Sequence, residues 1–346
     1  MATQPHTLAA AADEQAPLQR LDWMEGLRGL AVVAVLVHHL LTPNALRATN
    51  GFLDLGVFGV VVFFCISGYI IPYSVLRLRE RAALRFAVAR MFRLYPAYWL
   101  SLLIAVWAFH PGAHQLALNV TMAQRFLGER DAIGVYWTLQ VELIFYAIIG
   151  LLLATRSVLR RGVYPVLALT FAVLAVAMAA GRYELDRKFP LVPFTGLAVM
   201  FAATTWFMHL NHGLMSRARV LRFTAGVYGL LCVAFVLGYA KNWGYHETPT
   251  PFCLMYLVAP LVFMLAQRSA MRSKMLGFLG RISYPIYLFH VPVIALVGLY
   301  LFKTIGGVGD VLVELPLIVL LATAIHYAVE KPFVRWGKLV IGRQGS

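Results

Sequence analysis

Ten runs of apolar residues divide the chain, each long enough to cross about 30 Å of hydrocarbon as a helix. They fall near residues 25–42, 55–76, 94–110, 135–154, 163–181, 190–209, 220–240, 250–267, 282–302 and 308–329, separated by segments in which Arg, Gly, Pro and Asn gather. A backbone that crosses lipid must satisfy its own N–H and C=O groups, so these runs predict helices. The fold class that follows is all-α, a polytopic membrane protein of about ten transmembrane helices. No repeat, Gly-rich phosphate loop or Gly-x-Ser-x-Gly elbow interrupts the pattern.

Composition points the same way. A chain of 346 residues that is 61% hydrophobic and 13% charged carries more apolar surface than one soluble core can hide. The net charge of +15 would suggest nucleic acid if it gathered on one soluble face, but here it is sorted by loop. With a cytoplasmic N-terminus, the clusters Arg77–Arg93, Arg156–Arg161, Arg217–Arg222, Arg268–Arg281 and Lys331–Arg343 all lie inside. Only Arg47, Arg125, Arg130, Arg182, Arg187, Lys188, Lys241 and Lys303 fall outside. That is the positive-inside pattern, and it predicts both termini in the cytoplasm. Residues 1–20, polar and Ala-rich without the basic start of a signal peptide, are expected to be a disordered cytoplasmic tail. Residues 21–333 form the membrane domain, and 334–346 are expected to be a short cytoplasmic tail. Cys65, Cys232 and Cys253 sit on separate spans and read as packing residues, so neither a disulfide framework nor a metal site is expected.

Polar groups inside the spans are the candidate chemistry. An arginine at the centre of a membrane helix costs roughly 2.5 to 3.5 kcal/mol, and ionisable residues there usually serve function. Arg28 and His39 share the first span. Eleven steps at about 100° per residue bring both to one face, roughly 16 Å apart along the axis. Spacing alone also allows an interhelical hydrogen bond at His39 and a snorkelling Arg28. Ser283, Tyr287 and His290 form one stripe of the ninth span, which Pro285 and Pro292 are expected to bend. Arg90 and Arg93 are spaced so that one phosphate can bridge them. Intramembrane Arg, His and Glu would equally suit a transporter or exporter of a polar substrate, although the paired halves typical of transporters are missing.

The segment Leu21–Ala31 (LDWMEGLRGLA), with His38-His39 beyond it, resembles the opening signature of the acyltransferase family 3 membrane proteins. Further matches follow in family order. Gly59–Tyr69 (GVVVFFCISGY) resembles the second-helix motif, and Arg90-Met91-Phe92-Arg93-Leu94-Tyr95-Pro96 the basic motif entering the third helix. Tyr136-Trp137-Thr138-Leu139-Gln140-Val141-Glu142 is similar to the Trp-Ser-Leu-x-x-Glu motif. Ile282-Ser283-Tyr284 with Tyr287 and His290, then Glu330-Lys331-Pro332, match the last two. Val61 stands where many members carry Asp, and Thr138 replaces the commoner Ser.

The resemblance implies an integral membrane O-acyltransferase of the bacterial inner membrane. It would move an acyl group, often acetyl, from cytoplasmic acyl-CoA to a hydroxyl of a carbohydrate such as an exopolysaccharide or lipid-linked glycan. Acyl-CoA is then a co-substrate, and no resident cofactor is expected. Because the chain stops soon after the tenth span, transfer is expected to finish in the membrane domain or pass to a separate partner. His39 becomes the candidate base or acyl-accepting nucleophile. Glu142, placed at similar depth, is expected to orient it, unless that carboxylate makes only a structural hydrogen bond. His38, about 100° around the helix, is expected to pack or line. Arg28, Arg90 and Arg93 are the candidate donor-binding residues. Ser67, Tyr69, Trp137, Ser283, Tyr287 and His290 are candidates for lining the cavity or meeting the acceptor. Glu330 reads as structural, paired with a loop arginine or near the donor.

Overall fold

The computed structural model describes residues 22–48, 52–76, 81–241, 248–269, 273–300 and 308–343, so the expected tail at 1–20 lies outside the described residues. Thirteen helices follow in order: α1 (Asp22–Ala48), α2 (Leu55–Val75), α3 (Ala82–Phe109), α4 (Ala113–Asn119), α5 (Trp137–Ala154), α6 (Val163–Leu185), α7 (Val192–His212), α8 (Arg217–Gly238), α9 (Pro249–Ser269), α10 (Lys274–Arg281), α11 (Ser283–Tyr300), α12 (Val308–Ile325) and α13 (Lys331–Arg343). Among the described residues there is no strand, and ten helical stretches are long and apolar enough to cross a membrane. An even number of crossings returns the chain to the side on which it began.

Helix α2 is the hub because its sequence is apolar on every side. It packs against α1, α7, α9 and α5. Glycines allow the closest approaches. A Cβ at Gly59 would stand 2.5 Å from the Ala31 carbonyl oxygen, and one at Gly68 would collide with the Met200 backbone. Without a hydrophobic drive between helices in lipid, such small-residue contacts are what hold a bundle together. Helix α6 does the same with a buried stripe of Ala168, Ala172, Ala175 and Ala179, which faces α7 and α8.

Three elements depart from the expected boundaries. Helix α3 begins at Ala82 instead of near 94, because its Arg-rich first turns are good helix formers that a search for hydrocarbon length passes over. Helix α10 is a short amphipathic helix, capped by Ser273 and packed along α1. A Cβ at Gly280 would strike the Glu25 carbonyl, and one at Gly29 the Leu276 carbonyl. Lastly, α12 passes through a π-helical turn at His326–Glu330 into α13. The expected tail at 334–346 is therefore helical as far as Arg343, and it lies on α3 with Gly337 against Phe92.

The connection from α3 to α5 folds into a hydrogen-bonded clasp. Buried Asn119 donates to the carbonyls of Gln115 (2.8 Å) and Arg130 (2.9 Å) and accepts from the Ala132 N–H (2.9 Å). Asp131 accepts from Gln124 (2.6 Å), from Gln140 of α5 (2.9 Å) and from Arg125 (2.7 Å). Tyr98 of α3 donates to the Asn119 carbonyl at 2.6 Å. The clasp ties α3 to the start of α5, so that Thr138, Leu139 and Glu142 in the first turns of α5 are held facing Arg90, Arg93 and Leu94 of α3 across one cavity.

Candidate active site

A cavity opens among α1, α2, α3, α5 and α11, with about 790 Å³ free of protein atoms when its mouth is included. One part of its wall is apolar, from Val60, Phe63, Phe64, Ile66, Ile70 and Leu139. The other part is polar, from Arg28, Arg90, Arg93, Ser67, Glu142, Tyr146, Thr138, Ser283, Tyr284 and Tyr287.

The three arginines are held differently. Arg28 Nε donates to Ser283 Oγ at 3.2 Å, which turns it into the bundle and away from lipid headgroups. Arg93 pairs with Glu330 at 3.4 Å, and the other oxygen of that buried carboxylate takes a hydrogen bond from His326 Nδ1 at 2.7 Å. Arg90 lies over Phe86 and Tyr146, 5.5 and 5.6 Å from their ring centres. Its Nε is buried and has no hydrogen-bond partner among the described residues. Three guanidinium groups thus share one cavity with Glu142, while Glu330 neutralises Arg93. The excess is positive, and a desolvated positive excess favours an anionic ligand.

His39 lies beyond this cavity. Its Nδ1 is 2.9 Å from the Val35 carbonyl, and a carbonyl only accepts, so Nδ1 carries the proton and Nε2 of the neutral ring keeps its lone pair. His290 repeats the arrangement. Its Nδ1 lies 3.1 Å from the Ile286 carbonyl and 2.8 Å from that of Tyr287. Its Nε2 is buried without a hydrogen-bond partner among the described residues. The two rings meet edge to face with centroids 4.7 Å apart. His38 touches His39 at 5.0 Å and pairs with Asp54 at 3.3 Å.

Placement of the expected residues is therefore mixed. Arg28, Arg90, Arg93, Ser67, Ser283, Tyr287 and Glu142 border one cavity. Glu142 does not take up the expected place beside His39. Its carboxylate accepts from Ser67 Oγ at 3.5 Å and from the Tyr146 hydroxyl, because residue counting fixed its depth but not the direction in which α5 presents it. Tyr69 is outside the cavity, in an aromatic cluster with Trp23, Phe207 and Phe263, and its hydroxyl accepts from Gln267 at 2.8 Å. Trp137 packs against Phe64 at 6.4 Å, and His290 faces His39. Glu330 has an arginine partner, but Arg93 belongs to helix α3 and not to a loop. Sequence reasoning missed Tyr146 and His326, although each stands four residues from its carboxylate, the spacing at which helix neighbours meet.

The family model described as an acyltransferase domain, acyltransferase family 3, matches residues 21–330. The chain belongs to this family. It is an acyltransferase and a multi-pass membrane protein. Relatives include a protein of Komagataeibacter xylinus named as a membrane-bound transacylase, BcsY, 28% identical over 84% of this chain and 77% of its own. The exopolysaccharide production protein ExoZ of Rhizobium meliloti is 25% identical over 85% of this chain and 95% of its own. The peptidoglycan O-acetyltransferase OatA of Listeria monocytogenes is 25% identical over 79% of this chain but 49% of its own. No solved structure matches. In this acyltransferase the matched segment holds every residue that borders the cavity.

Proposed function

We propose that the protein is an O-acyltransferase of the bacterial inner membrane. It moves an acyl group, acetyl above all, from cytoplasmic acyl-CoA to a hydroxyl of a carbohydrate such as an exopolysaccharide or lipid-linked glycan. The observation that carries this reading is the order of groups along α1 and α11: Arg28 hydrogen-bonded to Ser283 at the cavity, and His39 against His290 about two to three turns farther along. Arg28, Arg90 and Arg93 suit the phosphates and amide-bearing arm of CoA, and the distribution of basic clusters supports a cytoplasmic position for that end of the bundle. The names of OatA and ExoZ support a polysaccharide acceptor.

His39 acts as the base. As the acceptor oxygen bonds to the thioester carbon, Nε2 takes the hydroxyl proton. The C–S bond then breaks with its electron pair on sulfur, and the imidazolium protonates the thiolate, leaving ester and free CoA thiol. A base with pKa near neutrality contributes typically 10² to 10⁴ in rate, and an imidazole already held in the correct tautomer needs no reorganisation to supply it. Glu142, hydrogen-bonded to Ser67 and Tyr146 at the cavity, orders the polar wall against which the donor lies.

The test is acyl transfer by purified full-length protein in lipid nanodiscs, with radiolabelled acetyl-CoA and the producing cell's own polysaccharide. His39→Ala should lower turnover at least about a hundredfold without changing the elution profile of the protein. Wild-type transfer by a folded His39→Ala protein would end the assignment, and solute movement without CoA consumption would replace it with transport. Recovery of an acylated His39 peptide by mass spectrometry would make the same nitrogen a nucleophile instead of a base.

A further inference from the structure

Helix α13 carries Lys331, Arg335, Lys338 and Arg343 and no acidic residue. At about 100° per residue, Lys331, Arg335 and Lys338 fall within a sector of about 60° and span roughly 10 Å along the axis. All three are exposed. None forms an ion pair or a hydrogen bond among the described residues; Lys331 Nζ rests instead 5.1 Å from the ring centre of Tyr327 in the π-helical turn. Beside this stripe runs an apolar one. Trp336, Leu339 and Val340 are 55%, 62% and 38% exposed, while the far side of the helix is taken up by α3, with Gly337 against Phe92.

Length places these stripes at the membrane surface. Helical residues run without a break from Val308 to Arg343. The 18 residues of α12 rise about 27 Å, which nearly fills the hydrocarbon layer of about 30 Å. Helix α13 therefore begins at the level of the headgroups. Standing up into water, it would leave Trp336 and Leu339 solvated on one flank; inclined into the headgroup layer, it gives them acyl chains and gives the cations phosphates. A cationic stripe beside exposed apolar side chains is the pattern of a helix that binds an anionic lipid surface.

We infer that Lys331, Arg335 and Lys338 bind anionic phospholipid headgroups, with Trp336 and Leu339 set among the adjoining acyl chains. Two features favour lipid over a free phosphate. Three cations spread over about 10 Å exceed the breadth of one phosphate but match neighbouring headgroups, and the apolar flank has a partner only if the ligand brings hydrocarbon. No side chain of α13 supplies a counter-charge, so each cation near an anionic surface adds roughly fivefold to the affinity. The stability of the chain is accordingly set in part by the charge of the lipid around it.

Thermal unfolding of the full chain in nanodiscs of phosphatidylcholine, with and without phosphatidylglycerol, tests this. Phosphatidylglycerol should raise the melting temperature of the wild type by several degrees, and the rise should shrink as salt is added. The combined variant Lys331→Gln, Arg335→Gln, Lys338→Gln should lose the rise. A matched variant of another basic cluster, Arg217→Gln, Arg219→Gln, Arg222→Gln, should keep it. An equal rise in the α13 variant, or its loss in both variants, would overturn the inference, and so would an equal rise from inorganic phosphate added to phosphatidylcholine nanodiscs. If the combined variant does not fold, Arg335→Gln alone carries the test: it should retain less phosphatidylglycerol than wild type in native mass spectrometry from mixed micelles, and unchanged retention would count against the stripe.

Discussion

Arg90 and Arg93 stand one helical turn apart, yet the bundle gives them different work. Arg93 neutralises Glu330, a buried carboxylate. Removing it leaves that charge with His326 alone, at a cost on the order of 2 kcal/mol for a lost hydrogen bond to a charged group. Arg90 rests on two aromatic faces and forms no ion pair among the described residues. Arg90→Ala should therefore raise the KM for acyl-CoA roughly tenfold or more while the melting temperature in detergent stays near wild type. Arg93→Ala should lower the melting temperature by several degrees. Equal thermal losses would show that both arginines are structural. Their common face was legible, because a spacing of three residues on a helix is geometry. The partner of His39 was not. Depth follows from counting residues, but which way a carboxylate turns depends on how neighbouring helices rotate, and Glu142 turned to Ser67 and Tyr146.

Among the elements, the contact of α1 with α10 tolerates the least change. The backbones touch at Gly29 and Gly280, where a methyl group would enter the opposing main chain. Gly29→Ala should destabilise by about 3 kcal/mol or more, since neither helix can yield without moving Arg28 away from Ser283. Gly229→Ala on α8, where nothing lies within 4 Å, should be neutral or stabilise by about 0.5 to 1 kcal/mol. Thermal unfolding of the two variants side by side checks this, and equal stabilities would refute the close approach. The spans themselves were legible because hydrocarbon thickness imposes a length on them. Helix α10 was not, for it is too short to cross and its pattern registers only as a break between spans. The early start of α3 was hidden in the same way, its Arg-rich turns reading as loop because charge was taken for an absence of helix.

Across the whole molecule, the function proposed above ties the basic segments to the arginine-lined cavity: the charge expected to orient the chain would then lie on the side from which an anionic donor enters. A C-terminal fusion should report a cytoplasmic location, active for a cytosolic fluorescent reporter and silent for a periplasmic phosphatase. The reverse result would put the donor cavity on the wrong side for CoA. The ten membrane-length helices among the described residues, and the all-helical class, could be read from apolar lengths alone. The clasp at 110–136 could not, because its order comes from Asn119 and Asp131 bonding irregular backbone and side chains 9 to 13 residues away, a spacing that no helical or strand period marks.

The π-helical turn at His326–Glu330 sets the phase of everything after it. A wide turn accommodates one residue more than an α-helical ladder does. Removing one residue from the regular start of α13 (Lys331–Arg343), where no wide turn absorbs the change, would swing the residues after it by about 100° around their axis. Gly337 would leave Phe92, and the cationic side chains of that segment would point in new directions. This stretch should consequently accept substitutions far more readily than insertions or deletions.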